Sequence, residues 1–197
     1  MQRAARGLGS QVVAVGASAG GLQALLEVLL AIPPEFPAIV VVQHLDPVHK
    51  SMLADLLARK TGKRVQEAED GQSIKPDTVY IGPPNSHLLV RHGRLVLTHS
   101  AVVNFSRPSI DLMFESVAEN YGARAIGVIL SGSNRDGSAG IRAIHAAGGR
   151  TVAQDPRTAE HPVMPQYAIN TGCVDSVVPI GQIGVEIMKL FNEAQVQ

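Results

Sequence analysis

A single serine stands at the centre of a glycine-rich turn near the start of the chain. The segment Gly16-Ala17-Ser18-Ala19-Gly20 fits the pattern G-x-S-x-G, which places a nucleophilic serine on a sharp turn between a strand and a helix. The apolar run 12–15 precedes the turn, and an amphipathic stretch at 22–32 follows it. Such a turn lifts the hydroxyl from the sheet edge and directs the N–H groups of the helix towards it. The pattern therefore predicts nucleophilic catalysis by Ser18, as in a serine hydrolase.

Two further polar residues follow predicted strands and complete the set of side chains that a serine nucleophile needs. His44 follows the apolar run that ends at Gln43, and Asp136 lies in the loop after the run that ends at Leu130. In an open α/β sheet, ligands bind beyond the carboxyl ends of the strands. We therefore predict that Ser18, His44 and Asp136 converge as a catalytic triad, in which the histidine accepts the serine proton and the carboxylate orients the histidine.

Each of the three residues also has an ordinary structural interpretation. Ser18 and Asp136 both precede helical periods and would serve as N-caps, and a loop histidine such as His44 commonly bonds only to backbone. If all three had only these ordinary roles, a serine, a histidine and an aspartate would have met at one sheet edge by chance. We therefore favour the triad. Asp46 lies two residues from His44, too close in sequence to face its ring squarely. A further loop at this edge contains Asp155 and His161, which we assign to the wall of the site.

Short apolar runs alternate with helical periods, which predicts an α/β fold with a doubly wound, mostly parallel sheet flanked by helices. Continuous apolar runs such as 40–42 and 126–130 are typical of strands that are buried on both faces. The predicted strands are 12–15, 38–43, 78–81, 125–130, 151–154 and 174–178. The predicted helices are 20–31, 50–61, 108–121, 137–147 and 181–194. Residues 87–90 and 95–98 flank a turn signal and predict a small antiparallel hairpin insertion.

The length and composition indicate one globular domain and exclude several classes of function. The 197 residues suit a single domain, which we place at 11–197 after a frayed terminus at 1–10. The 17 basic side chains are matched by 17 acidic ones, and only 4 % of residues are aromatic, which argues against a nucleic-acid partner. No window approaches the roughly 20 apolar residues of a membrane helix, and the lone Cys173 suits a reducing compartment. We expect a cytoplasmic protein without membrane insertion.

Nucleotide and metal sites are both disfavoured by the residues. Ser18 takes the place of the middle glycine of a G-x-G-x-x-G pattern, where a glycine lets the backbone approach the pyrophosphate. A nucleotide-binding domain is therefore the least supported alternative. His87, His92 and His99 cluster at the predicted hairpin, but without an i,i+4 helical pair or a cysteine partner we interpret them as solvated side chains. We expect neither a metal nor a cofactor.

Five segments of the chain form a specific set. They are 15–22 (VGASAGGL), 42–47 (VQHLDP), 107–111 (RPSID), 130–137 (LSGSNRDG) and the dipeptide Met164-Pro165. Together, over about 11–180 and in this order, they resemble the catalytic domain of CheB-type protein-glutamate methylesterases. The second segment, continued through residues 50–53, is most similar to methylesterase units fused to methyltransferases.

The resemblance implies a doubly wound domain that hydrolyses glutamyl methyl esters on chemoreceptor helices and, in many members, also deamidates receptor glutamines. It implies a triad of Ser18, His44 and Asp136, with an oxyanion hole formed by backbone N–H groups of Ala19 and Ser133. Because about ten residues precede the first strand, we expect the domain to act without an in-chain receiver. A separate methyltransferase or receiver protein is then a further candidate partner.

The loop before Asp136 departs from the pattern of this family. It reads Gly132-Ser133-Asn134-Arg135, where the family usually has Gly-Met-Gly or Gly-Thr-Gly. Asn134 thus replaces a glycine, and asparagine is the best-tolerated substitute where φ is positive. Arg135 adds bulk and charge at the mouth of the site. This departure leaves a second interpretation open, a catalytically weakened module of the same fold that binds a receptor or another partner.

Overall fold

Strands and helices alternate through most of the chain in a computed structural model, which describes residues 11–44 and 52–194. The strands are β1 Val12–Ala17, β2 Ala38–Gln43, β3 Arg64–Glu67, β4 Thr78–Ile81, β5 His87–Arg91, β6 Arg94–Thr98, β7 Ala125–Ile129, β8 Arg150–Gln154 and β9 Ser176–Val178. The α-helices are α1 Gly21–Ala31, α2 Leu53–Thr61, α3 Ile110–Tyr121, α4 Ser138–Ala146, α5 Val163–Ile169 and α6 Ile180–Glu193.

Seven of the strands form one parallel sheet in the order β3-β4-β2-β1-β7-β8-β9. β1 lies between β2 and β7, and the chain adds strands first on one side of β1 and then on the other. This order confirms the predicted doubly wound α/β fold. A crevice opens beyond the carboxyl ends of the strands where the direction of winding changes. Because β1 ends at Ala17, Ser18 lies at that crevice.

Both faces of the sheet are covered by helices, which explains the unbroken apolar runs. Val13 and Val15 point to one face and pack with the apolar sides of α1, α2 and α6. Val12 and Ala14 point to the other face and pack with α3, α4 and α5. A strand with a core on each side has no position for a solvated residue, so alternation of polar and apolar residues is absent. None of the described helices is long and apolar enough to cross a membrane.

The antiparallel insertion consists of β5 and β6, which are joined by a two-residue turn. The turn residues, His92 and Gly93, have φ angles of 49° and 72°, as the tightest hairpins require. The predicted hairpin is confirmed, although each strand extends one residue further into the turn than expected. The hairpin packs on α3, where Val90 N donates to Ser116 Oγ at 2.9 Å.

The interpretation of His87 as a solvated side chain is wrong. His87 is fully buried beneath the hairpin, where Nε2 donates to Ala101 O at 3.0 Å and Nδ1 accepts from Ser109 N at 3.1 Å. The two bonds satisfy both ring nitrogens, so the neutral ring can be buried without a lost hydrogen bond. His92 and His99 are exposed, as expected.

Two elements of the structure were not predicted, and some predictions concern residues that the structure does not describe. The edge strand β3 and the short helix α5 have no counterpart among the predicted elements. The predicted frayed terminus at 1–10 lies outside the described residues, as do Asp46 and the first two residues of the predicted helix 50–61.

Candidate active site

Ser18 lies in the turn between β1 and α1, at the carboxyl edge of the sheet. Its N–H donates to Ser131 O at 2.9 Å and its carbonyl accepts from Gly21 N at 2.9 Å, so the turn is held on both sides. Gly20 has a φ of 71°, which a glycine adopts without steric cost. The N-cap of α1 is Gly20 itself, and the hydroxyl of Ser18 makes no capping bond. The ordinary interpretation of Ser18 as a helix cap therefore does not apply.

His44 follows β2 and links the other two predicted residues. Its Nδ1 atom lies 3.2 Å from Ser18 Oγ, and its Nε2 atom lies 2.9 Å from Asp136 Oδ2. When Asp136 is ionised, Nε2 carries the ring proton and Nδ1 can accept a proton from the serine hydroxyl. The side chain of His44 is 13 % exposed and that of Asp136 is fully buried, so water screens the pair little. The structure thus brings the three side chains into one hydrogen-bonded line.

The carboxylate of Asp136 is seated on the N-terminus of α3. Besides His44, four donors bond it, namely Ser109 Oγ at 3.1 Å, Ile110 N at 2.8 Å, Asp111 N at 3.0 Å and Gly137 N at 3.1 Å. Burial alone would raise the pKa of Asp136, but the hydrogen bonds from His44 and from the α3 backbone outweigh it and lower the pKa. The carboxylate therefore stays ionised beside His44. The N-cap of α4 is Gly137, so Asp136 is not the cap that its position in the sequence suggested.

A second carboxylate, Asp111, lies behind the first and is also buried. Its Oδ1 accepts from Gly140 N at 2.8 Å, and its Oδ2 accepts from Asn104 Nδ2 at 3.0 Å. Burial raises the pKa of Asp111 to about 6, and the negative charge of Asp136 adds to the rise, while the N–H of Gly140 opposes it. Asp111 thus joins the start of α3 to α4 and to the loop that contains Asn104.

Gln43, the last residue of β2, ties the serine turn to the histidine. Its Nε2 donates to Ser18 O at 2.7 Å and to His44 O at 3.0 Å. Its Oε1 has no hydrogen-bond partner among the described residues and lies against Gly21, where a Cβ atom would overlap it. Sequence reasoning missed this residue. The available signal was a glutamine at the end of an otherwise apolar, doubly buried strand.

Comparison with known proteins identifies the family. The sequence model of the CheB methylesterase family matches residues 13–187. This chain belongs to that family. The resemblance drawn from the five sequence segments is confirmed, and so is the fold. The crystal structure of the Thermotoga maritima CheB methylesterase catalytic domain superposes with a TM-score of 0.89 at 34 % identity, covering 93 % of this chain and 100 % of that one.

Relatives in the CheB family are similar over nearly the whole of this chain. Protein-glutamate methylesterase/protein-glutamine glutaminase 4 of Anaeromyxobacter dehalogenans is 43 % identical over 188 residues, which are 93 % of this chain and 53 % of the relative. FrzG of Myxococcus xanthus, a protein-glutamate methylesterase, is 43 % identical over 90 % of this chain and 54 % of its own. The chain spans about half the length of these two relatives. A relative from Leptospira interrogans, named as a protein-glutamate methylesterase/protein-glutamine glutaminase, is 38 % identical over 91 % of this chain and 94 % of its own length.

The loop that departs from the CheB family pattern lies directly over the histidine. Asn134 Nδ2 is 3.3 Å from His44 Nδ1, and Asn134 Oδ1 accepts from Asp136 N at 3.1 Å. Asn134 is not among the residues with positive φ, so the backbone here does not require the glycine that the family usually has. The side-chain hydrogen bonds of Asn134 hold it in place. Its amide nitrogen and the Ser18 hydroxyl both lie within hydrogen-bond distance of His44 Nδ1.

The two N–H groups predicted to form the oxyanion hole belong to the serine turn and to the 131–134 loop. Within residues 11–44 and 52–194, no hydrogen bond is formed by the N–H of Ala19 or by that of Ser133. Ser131 Oγ donates to Ala19 O at 2.8 Å and so ties the serine turn to the 131–134 loop. Their role as oxyanion donors remains a prediction.

The residues assigned to the wall of the site have different positions. His161 lies beside the site, where its Nδ1 is 3.2 Å from Ser133 Oγ and its N–H donates to Ser131 Oγ at 2.9 Å. Asp155 is instead paired with Arg157, and its contacts lie at the end of β8. In the described part of the chain, no group of three metal-ligating side chains is found.

Two cavities open beside the triad. The first, of about 230 Å³, is lined by His44 and by residues of the 102–108 loop. The second, of about 340 Å³, is lined by Asn134 and Asp136 and by Tyr167 of α5. Phe105 lines both cavities and stands between them. The 102–108 loop therefore borders the cavities that reach His44 and Asp136.

Proposed function

We propose that this domain is a serine esterase that hydrolyses glutamyl methyl esters on chemoreceptor helices. The observation that carries the proposal is the position of His44, whose ring nitrogens lie 3.2 Å from the Ser18 hydroxyl and 2.9 Å from the Asp136 carboxylate. The activity is also the one printed in the names of the relatives from Anaeromyxobacter and Myxococcus. Geometry and family membership point to the same chemistry.

In the acylation step, Ser18 Oγ attacks the ester carbonyl as its proton moves to His44 Nδ1. The positive charge that forms on the ring is stabilised by Asp136, which the α3 N-terminus holds ionised. The oxyanion of the tetrahedral intermediate is placed near the N–H groups of Ala19 and Ser133, each worth about 10²-fold in rate. His44 Nδ1–H then protonates the departing methoxide. Methanol leaves, and the glutamyl group is esterified to Ser18.

The deacylation step reverses these roles. A water molecule attacks the acyl carbonyl and loses a proton to His44 Nδ1, and the same proton then returns to Ser18 Oγ as the bond to the acyl carbon breaks. The glutamic acid that leaves gives its remaining acidic proton to solvent. A glutamine side chain fits the same sequence, with ammonia in place of methanol. Every transfer in this scheme uses the side chains and backbone groups described above. We also propose that the domain acts in the cytoplasm, on the receptor helices exposed there.

Release of methanol tests the proposal. A chemoreceptor cytoplasmic segment methylated at its glutamates is incubated with the parent protein, with Ser18→Ala and with Ser73→Ala. Ser73 is an exposed serine on the loop before β4, and its hydroxyl makes no hydrogen bond within the described residues. We expect Ser18→Ala to lose about 10⁴-fold or more of the turnover and Ser73→Ala to match the parent. Equal methanol release by Ser18→Ala and the parent would sink the proposal.

A catalytically weakened binding module is the second candidate, and the position of Asn134 favours it. Its amide lies 3.3 Å from the same His44 nitrogen that must accept the Ser18 proton. A fluorophosphonate separates the two candidates, because it reacts only with an activated serine. Stoichiometric labelling of the parent at Ser18, and none of Ser18→Ala, supports the esterase. Binding of the methylated segment without labelling or methanol release supports the module.

A further inference from the structure

The loop before α3 contains a turn with unusual residues. Val103 and Ser106 are paired across it, with Val103 N donating to Ser106 O at 3.2 Å and Ser106 N donating to Val103 O at 2.8 Å. The two residues between them, Asn104 and Phe105, have φ angles of 50° and 62°. Two positive φ angles are the mark of a type I′ turn, whose preferred sequence is Asn-Gly. Phenylalanine stands where glycine is preferred.

The turn displays that phenylalanine completely to solvent. Phe105 is fully exposed, although an aromatic ring of this size normally contributes to a core. A bulky residue with positive φ is strained, and such strain persists at binding and catalytic sites when the surroundings hold it. Here an unfavourable backbone and an unfavourable exposure coincide at one residue. Neither the positive φ nor the exposed ring stabilises the free domain, so we look for their role in a complex with a partner.

The surroundings do hold the turn. Asn104 Nδ2 donates to Asp111 Oδ2 at 3.0 Å, and the other oxygen of Asp111 accepts from Gly140 N on α4. Asp111 belongs to the first turn of α3, which also seats the Asp136 carboxylate. The tip of the turn and the triad are therefore fixed to the same helix end.

The ring stands as a ridge between two hollows. On one side is the 230 Å³ cavity that reaches His44, and on the other is the 340 Å³ cavity that reaches Asp136. Val102, Val163 and Tyr167, which are 54 %, 41 % and 50 % exposed, line the outer walls of these hollows. An apolar ridge with a hollow on each side is complementary to a helix surface, where rows of side chains are separated by grooves.

We propose that Phe105 is a docking residue for the protein substrate, inserting into a groove between side-chain rows of a substrate helix while the neighbouring side chains enter the two hollows. The proposal rests on the proposed function, since the esterified glutamate must reach Ser18 at the same edge. A helix fits better than a small ester, which would occupy one hollow and leave the ridge without a contact. Specificity for a helical protein ester thus resides in the 102–106 turn, apart from the triad.

The test compares a protein ester with a small ester. We measure kcat/KM for the methylated receptor segment and for p-nitrophenyl acetate with the parent, Phe105→Gly, Phe105→Leu and Leu30→Ala. Phe105→Gly creates the Asn-Gly pair that this turn prefers, so the variant keeps the turn and removes only the ring. Leu30 is a matched control, because it is 62 % exposed and lies about 14 Å along α1 from Gly21 at 1.5 Å per residue.

We expect the ratio of kcat/KM for the protein ester to that for the small ester to fall about tenfold or more in Phe105→Gly, as for loss of an aromatic interface anchor. The fall should appear in KM, Phe105→Leu should recover part of it, and Leu30→Ala should keep the parental ratio. A ratio unchanged in Phe105→Gly overturns the proposal. So does an equal fall for both esters, which would mean that the ring shapes the triad.

A binding measurement separates failure of this proposal from failure of the esterase assignment. The Kd of the methylated segment is determined by calorimetry for Ser18→Ala with and without Phe105→Gly, which needs no turnover. A Kd raised about tenfold or more by Phe105→Gly supports docking even if the parent proves inactive. An unchanged Kd overturns docking even if the parent is a good esterase.

Discussion

Asn134 and Ser18 approach the same atom of the histidine. Asn134 Nδ2 lies 3.3 Å and Ser18 Oγ lies 3.2 Å from His44 Nδ1, which has one lone pair in the plane of its ring. Only one of the two donors can use that lone pair at full strength. The asparagine amide therefore competes with the serine hydroxyl for the one acceptor site on His44 Nδ1.

Removal of this competitor should raise the reactivity of the serine. We expect Asn134→Ala to label with a fluorophosphonate about three- to tenfold faster than the parent, since a net hydrogen bond is worth roughly 1 kcal/mol. The rate constant of labelling is measured directly, with Asn170→Ala as the matched control. Asn170 is exposed, and its side chain bonds only Gln166 in the described structure. Slower labelling of Asn134→Ala would show that the amide supports the ring.

A change of Asp136 to asparagine should abolish turnover while leaving the volume of the side chain intact. Oδ1 accepts three bonds, so the new NH₂ group must replace Oδ2 and face His44 Nε2 and Ile110 N. The ring proton then moves to Nδ1, which can no longer accept from Ser18. We expect methanol release to fall about 10⁴-fold, as in other triads with the wrong tautomer.

The same Asp136→Asn protein should also be less stable, by roughly 2 kcal/mol, because the NH₂ group opposes the N–H of Ile110. Urea unfolding measures this loss, and Asp55→Asn, an exposed carboxylate on α2, is the control. Turnover within tenfold of the parent would contradict the proposed role of Asp136.

A methyl group added at Gly21 should disturb the site through Gln43. A Cβ atom there would overlap Gln43 Oε1 and lie 2.8 Å from Ala17 Cβ, so the glutamine must release Ser18 O and His44 O. We expect Gly21→Ala to lose roughly 1–3 kcal/mol of unfolding free energy and to label at Ser18 at least about tenfold more slowly.

Gly181 provides the matched glycine. It lies in the first turn of α6, and a Cβ atom there would have no heavy atom within 4 Å, so Gly181→Ala should stabilise by about 0.5–1 kcal/mol and label like the parent. Thermal or urea unfolding and labelling kinetics are measured on both variants. If both alanines behave alike, the proposed function of Gln43 as a tie between serine and histidine is refuted.

The buried Asp111 should make stability depend on pH in a defined direction. Its pKa is raised to about 6 in the folded state from 3.8, so the folded protein binds this proton more tightly than the unfolded chain does. The stabilisation of the folded state by the proton on Asp111 is complete below about pH 4 and is lost as the pH rises through 6. Asp136, whose pKa is lowered, has the opposite dependence but is present in parent and variant alike.

We therefore expect the stability of the parent, relative to Asp111→Asn, to fall by on the order of 2 kcal/mol between pH 4.5 and 7.5. The amide can still accept from Gly140 N, and its NH₂ group can donate to the Oδ1 of a reoriented Asn104. Urea unfolding at the two pH values measures the difference, with Asp55→Asn, at an exposed carboxylate of α2, as the control. A relative stability that rises with pH would contradict the burial of an acid with a raised pKa.

The doubly wound α/β fold class and the meeting of Ser18, His44 and Asp136 at one sheet edge could be predicted from the sequence, because both follow from local patterns. Doubly buried strands have long apolar runs, and residues after such strands reach one edge. β3 escaped prediction because Arg64-Val65-Gln66-Glu67 is an edge strand with a single apolar residue and two solvated ends. α5 escaped because it is short and contains Pro165 in its first turn.

Other features depend on contacts that no local pattern contains. The seat of Asp136 comes from Ser109, Ile110 and Asp111, which lie 25 to 27 residues earlier in the chain. The burial of His87 depends on Ala101 and Ser109, which supply its two bonds. These features, which escaped prediction, therefore depend on contacts between residues far apart in the sequence.

The close approach of α3 and α4 links formation of the site to the packing of these two helices. Gly140 leaves room for Phe114 between the two helices, and its N–H holds Asp111 at the start of α3. Until these helices meet, the carboxylate of Asp136 lacks the three donors that the start of α3 supplies, Ser109 Oγ, Ile110 N and Asp111 N, and it is not held against His44 as in the folded protein. The proposed esterase therefore requires the packed pair of helices, and a chain in which α3 and α4 are apart should not turn over esters.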